Sequence, residues 1–129
     1  MATQTTFIGV DVSKDTLDIY ALPIESAMHC PHDAEGLQVA VAWIKGQAPT
    51  LVVLEATGGY QASLAAELAA AGIPVAVVNP RQVRDFARAS GRLAKTDTID
   101  AKVLACFACQ MQPTPRPLPD ETSQRLQAL

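Results

Sequence analysis

Residues 7–14 read Phe7-Ile8-Gly9-Val10-Asp11-Val12-Ser13-Lys14. β-Branched residues and alternation make the stretch to Val12 a strand, with Ile8, Val10 and Val12 on one face and Phe7, Gly9 and Asp11 on the other. A carboxylate inside an apolar strand is costly to bury without a partner. Asp11 is therefore the first position that asks for a function. Ser13-Lys14-Asp15 reads as a tight turn and Leu17 to Leu22 as a second strand, so the pair forms a hairpin. Ser26 to Pro31 carries a weaker strand pattern.

Further along, Asp33 has the character of an N-cap, opening a helix to about Lys45 with Leu37, Val41 and Ile44 on one face. Thr50 to Ala56 contains Leu-Val-Val-Leu-Glu-Ala, a continuous apolar run that predicts a central parallel strand buried on both faces. Glu55 lies at its C-terminal end, where open α/β sheets place ligands. Thr57-Gly58-Gly59 turns into a helix expected over Tyr60 to Ala71 and stopped by Gly72. Pro74 to Val78 is a fifth strand. Asn79-Pro80 caps a helix running to about Ser90, and a last helix is expected over Asp97 to Met111 with Ile99, Val103, Leu104 and Phe107 as its apolar stripe. Pro113, Pro115, Pro117 and Pro119 make a stiff connector, after which a helical pattern resumes and the chain stops within it. These features divide the chain into a domain over 1–112 and, over 113–129, a proline-rich connector with the start of a helical segment. Three strands followed by alternating helices and strands build an α/β fold: a five-stranded mixed sheet flanked by helices, of ribonuclease-H-like type. In that topology the first and fourth strands are neighbours, which places Asp11 beside Glu55.

The 129 residues suffice for one domain with a real core, and 49% are hydrophobic. No apolar run reaches membrane-spanning length, and the N-terminus lacks the charged-then-apolar pattern of a secretory signal. An odd number of cysteines, Cys30, Cys106 and Cys109, without such a signal favours a reduced, cytoplasmic protein. The net charge of −3 argues against nucleic acid, but its distribution argues for it. Residues 1–79 hold eight acids and two lysines, a net of −6, whereas residues 80–102 hold six bases and three acids, a net of +3. A local basic patch is what a phosphate contact needs. It comprises Arg81, Arg84, Arg88, Arg92 and Lys95, with Lys14 as an outlying candidate on the hairpin turn.

The basic run ends in Asp97 and Asp100, three residues apart, a spacing that would set both carboxylates on one helical face. Taken singly, Asp97 also reads as an N-cap, Asp11 as a satisfied polar group, Glu55 as a solvent-facing charge, and the arginines as an ordinary solvated helix face. Taken together, Asp11, Glu55, Asp97 and Asp100 form a set of hard oxygen donors suited to Mg²⁺ or Mn²⁺. Two such ions about 4 Å apart activate an attacking oxygen and stabilise a leaving one in phosphodiester chemistry. A zinc set from Cys30, His32, Cys106 and Cys109 is the alternative metal reading.

Four blocks carry a family resemblance: Phe-Ile-Gly-Val-Asp-Val-Ser-Lys at 7–14, Glu-Ala-Thr-Gly-Gly-Tyr at 55–60, Val-Asn-Pro-Arg-Gln-Val-Arg-Asp-Phe-Ala at 78–87 and Lys-Thr-Asp-Thr-Ile-Asp-Ala-Lys at 95–102. Together they resemble the N-terminal, RuvC-like domain of the DEDD-type insertion-sequence transposases, relatives of the Piv and MooV invertases. The resemblance covers nearly the whole chain and implies a catalytic, metal-binding role for Asp11, Glu55, Asp97 and Asp100, with the element's ends and target DNA as substrates. It implies further partners: a C-terminal domain bearing a nucleophilic serine, joined through a coiled coil, a homo-oligomeric full-length protein, and in some members a bridging guide RNA. No serine in 1–129 has a companion motif that would let it stand in for that nucleophile. Two other functions fit parts of the pattern. An actin-like or sugar-kinase ATPase lobe also opens on a Gly-x-Asp strand and hairpin, and a noncatalytic nucleic-acid-binding module could keep the same fold.

Overall fold

The hairpin that opens the chain is the middle of a sheet. In the computed structural model, which describes residues 5–91 and 99–118, strand β1 (Phe7–Val12) pairs antiparallel with β2 (Thr16–Leu22), and β2 pairs with β3 (Ser26–Pro31). Helix α1 (Ala34–Gly46) then leads to β4 (Leu51–Glu55), which lies parallel to β1. Helix α2 (Ala62–Ala70) leads to β5 (Val75–Val78), parallel to β4. Helices α3 (Pro80–Ala89) and α4 (Ala101–Met111) follow. Among the described residues the sheet has five strands in the order β3-β2-β1-β4-β5, the mixed α/β arrangement expected from the sequence. No described helix is long and apolar enough to cross a membrane.

Alternation divides the core into two. Ile8, Val10 and Val12 join Leu17, Ile19, Val52 and Leu54 beneath α1 and α2, which contribute Ala40, Ile44, Leu64 and Leu68. On the other face Phe7, Leu51, Val53, Ala76 and Val78 meet Val83 and Ala87 of α3 and Val103, Leu104 and Phe107 of α4. Phe86 and Phe107 close that layer edge to face, with centroids 5.5 Å apart. β4 is buried on both sides, which is why its sequence runs apolar without alternation.

Two helix starts follow the sequence closely. Asp33 caps α1 by accepting from the Gly36 amide at 2.7 Å, and Asn79 caps α3 by accepting from the Arg81 amide at 2.8 Å, with Pro80 in the first turn. Two others differ. α2 begins at Ala62 rather than Tyr60, because Gly58 and Gly59 both take positive φ (61° and 86°) and hold the chain in a turn. α4 begins at Ala101 rather than Asp97. Asp100 is extended and is itself the cap, accepting from the Val103 amide at 2.9 Å. The helical three-residue spacing between 97 and 100 therefore does not apply at Asp100, and Asp97 lies outside the described residues. After α4, Arg116 lies along β5, accepting from the Val77 amide and donating to the Val75 carbonyl, so the start of the proline-rich stretch edges the sheet.

The closest approach of helix to sheet occurs at Gly9. A Cβ there would stand 2.3 Å from the Ala101 carbonyl oxygen, 2.3 Å from the Ala105 amide nitrogen and 2.6 Å from the Leu104 Cβ. Two of these atoms are backbone and cannot rotate away, so α4 sits on β1 because position 9 has no side chain. Gly9→Ala should force α4 off the sheet and destabilise the fold by about 1–3 kcal/mol or more, as overpacking of a tight core does. Chemical denaturation checks this, and an unchanged midpoint would show that α4 is not held there.

Candidate active site

Parallel pairing of β1 with β4 matches Val10 to Leu54, so Asp11 and Glu55 occupy the next positions on adjacent strands. Both leave the sheet on the face covered by α3 and α4, since Phe7, Leu51 and Val53 of the same alternation belong to that core. α4, seated on Gly9, brings its N-terminal cap Asp100 to the same end of β1. Asp11 is the centre of this group, acted on by the Asp100 charge and acting in turn on Glu55. Burial holds the Asp11 carboxyl above its usual range, and the charges of Asp18 and Asp100 push it further. Burial likewise raises Glu55, Asp11 adds to the effect, and the nearby Arg84 guanidinium opposes it.

Asp18 did not stand out in the sequence. The hairpin register pairs it directly with Asp11, and the next pairing sets His29 against Asp18, with Nδ1 and Oδ1 2.5 Å apart. An ionised carboxylate only accepts, so the imidazole proton sits on Nδ1. The signal was present in the turn: a hairpin closing over Ser13 to Thr16 places residues 11 and 18 opposite each other. Like charges directly across a sheet are destabilising, and the His29 contact takes up part of the Asp18 charge.

The expected basic residues divide into groups. Arg84, on exposed α3, faces Glu55 closely enough to oppose its upward shift. Arg81 and Arg88 are exposed on the same helix, and Lys14 is exposed on the hairpin turn. Arg92 and Lys95, like Asp97, lie outside the described residues. Among the described residues no three His, Cys, Asp or Glu close into a ready-made ligand set. The zinc alternative is not assembled. Cys30 is buried beneath α1 with its thiol on the Gly36 carbonyl, whereas Cys109 packs in the core across the sheet. What Asp11, Glu55 and Asp100 offer a divalent cation is hard oxygen chemistry and negative charge for which the described residues provide no ion pair.

The comparisons with known proteins agree with this fold. A family model for transposases of the IS110 DEDD type matches residues 8–129. The chain belongs to that transposase family. Pilin gene-inverting proteins of Moraxella bovis and Moraxella lacunata are each 30% identical over 114 residues, covering 84% of this chain. The chain spans about a third of those relatives, 35% of their length. Among solved structures, T. thermophilus RuvC, determined in complex with a Holliday junction substrate, superposes with a TM-score of 0.59 at 14% identity, covering 87% of this chain and 99% of that one. The family domain therefore has the RuvC-like, ribonuclease-H-like fold.

The raised carboxyls have a consequence for stability. A carboxyl whose folded pKa lies above its unfolded value favours the fold when protonated. That contribution is complete below the ordinary values of 3.8 for Asp11 and 4.5 for Glu55 and is lost as pH rises through the raised values. At neutral pH the ionised pair costs stability. Asp11→Asn and Glu55→Gln should each melt a few degrees above wild type at neutral pH in EDTA, with the advantage shrinking as pH falls toward the ordinary carboxyl range. Thermal melts across pH check this; variants that melt lower at neutral pH would contradict it.

Proposed function

We propose that this chain is the acid-bearing catalytic domain of a DNA transposase or recombinase, in which Asp11, Glu55, Asp97 and Asp100 bind Mg²⁺ or Mn²⁺ for strand cleavage and exchange. The observation that carries the reading is that Asp11 and Glu55 stand at the C-terminal ends of two adjacent parallel strands, with the Asp100 cap near enough to Asp11 to act on its charge, in a family whose relatives invert a gene and whose fold neighbour is bound to a DNA junction. A protein retains uncompensated, partly buried carboxylates where a cation completes them. Bound there, divalent ions would neutralise the scissile phosphate and activate the attacking oxygen.

The protein's own residues orient the site. Asp100 has one oxygen committed to the α4 cap, which fixes the direction of its carboxylate. Arg84, beside Glu55, is placed to hold a phosphate at the edge of the acids, and Arg81, Arg88, Arg92, Lys95 and Lys14 extend phosphate contacts outward. Free cysteines accord with work in the reducing cytoplasm. Mn²⁺ titrated calorimetrically into the chain should give saturable binding that an Asp11→Ala, Asp100→Ala double variant loses. Undiminished binding in that variant would sink the metal assignment.

Residues 1–129 supply the acid half of a composite site. The other half, a nucleophilic serine, belongs to a C-terminal domain of the full-length protein. A metal ion lowers the barrier only for a nucleophile held in line with the phosphate. The full-length protein acts as an oligomer on the element's ends and its target, which in some members of the family are paired by a guide RNA. Incubated with a supercoiled plasmid bearing the element's ends, guide RNA and Mg²⁺, residues 1–129 should give no joined product until the C-terminal part is restored. Joined product from residues 1–129 alone would refute the composite site.

A further inference from the structure

Beside the acids, on the side away from α3, lies a cleft of about 380 Å³ that the four-acid motif does not account for. It starts at Asp11 and Asp100 and runs outward over β2 and β3, walled by Asp18, Tyr20, His29 and Lys102. The cleft exists because α4 packs on β1, β2 and β4, and among the described residues no helix covers the β3 end of this face. Its volume is that of a site for a small organic group.

We propose that this cleft seats one nucleotide of the DNA strand next to the scissile phosphate, its base against the Tyr20 ring and its adjoining phosphate on Lys102. The assignment rests on the nuclease-type reading above and adds to it the path of the strand. Three observations support it. The cleft is continuous with Asp11 and Asp100, so a group in it is one step from the acids. Lys102 is exposed on the first turn of α4, its Nζ 5.9 Å from the Tyr20 ring centroid, and among the described residues it makes no ion pair although Asp100 is two positions away. An aromatic ring stacks a base and a neighbouring free cation takes a phosphate, the two elements of single-strand binding, once the Lys102 ammonium swings from the Tyr20 ring to the phosphate. Finally, Asp18, which would repel that phosphate, is already engaged by His29. The acids then lie between two cations, Arg84 on the Glu55 side and Lys102 on the Asp100 side. A strand crossing from α3 to the cleft brings one phosphodiester over the carboxylates.

The test is fluorescence anisotropy of the chain with a labelled single-stranded DNA oligonucleotide in Mg²⁺, across a salt series and with a single abasic position moved along the strand. Tyr20→Leu should weaken binding about fivefold to a hundredfold, the range of one lost base stack, whereas Tyr20→Phe should bind as wild type. One abasic position should weaken wild type but cost the Tyr20→Leu variant nothing more. Lys102→Gln should reduce the slope of log K against log salt by roughly 0.7, one phosphate contact. Lys102 is exposed, so this variant keeps the test open even where Tyr20→Leu lowers the melting temperature. If both variants bind with wild-type affinity and slope while an Arg84→Ala, Arg88→Ala variant loses affinity, the cleft assignment falls and the nuclease-type reading stands. Absence of DNA binding by wild type would overturn both. An RNA oligonucleotide bound in preference to DNA, with the same loss in Tyr20→Leu, would overturn DNA as the occupant.

Discussion

The contact of α4 with Gly9 is the constraint on which the site depends. Helix backbone lies where a side chain at position 9 would be, with the Ala101 carbonyl oxygen and the Ala105 amide nitrogen both well inside van der Waals contact of a hypothetical Cβ. The helix axis is thereby drawn onto β1, and its N-terminus points along the strand to Asp11. Asp100 caps that terminus, so the residue that starts the helix is also the one delivered to the acids. The positive end of the helix dipole meets a cluster of negative charge there, which offsets part of the repulsion among the carboxylates. Alanines at 101, 105 and 108 on the buried side of α4 allow the same close packing along the strand.

The two faces of the sheet are put to different uses. Beneath α1 and α2 the interior is aliphatic and continuous, and its helices carry few groups with chemistry. Above, α3 and α4 cover the apolar parts of β1, β4 and β5, and among the described residues no helix covers β3 on that face. The uncovered area of that face holds Asp11, Asp18, Tyr20 and His29. The carboxyl pKa values of Asp11 and Glu55 are raised because burial removes water from the charges and neighbouring acids add to the effect. Arg84 is the one cation that opposes this at Glu55, and it comes from the helix with the most basic exposed face.

Charge segregation along the chain becomes a spatial arrangement in the fold. The acid-rich first part contributes Asp11, Asp18 and Glu55 from strands, and the basic part contributes α3. Because β5 returns beside β4 and α3 starts at its end, the basic helix arrives at the C-terminal end of the sheet where Glu55 emerges. A negatively charged protein can in this way present a local cationic rim to a polyanion.

The sequence by itself determined much of this. β-Branched alternation set β1 and β2, the apolar run set β4 as a central strand, and Asp33 and Asn79-Pro80 announced their helices, because these are local signals of period and capping. The adjacency of Asp11 and Glu55 was also expected, because the ribonuclease-H-like fold suggested by the order of elements sets the first and fourth strands side by side. Only the tertiary structure decided the rest. The start of α4 lies at Ala101 because Asp100 is extended and its side chain accepts from a free amide at the helix end. Asp18, Tyr20, His29 and Lys102 are far apart in sequence and individually ordinary. They meet through strand register and through the docking of a helix on Gly9, and both are set by non-local packing that no window of sequence contains.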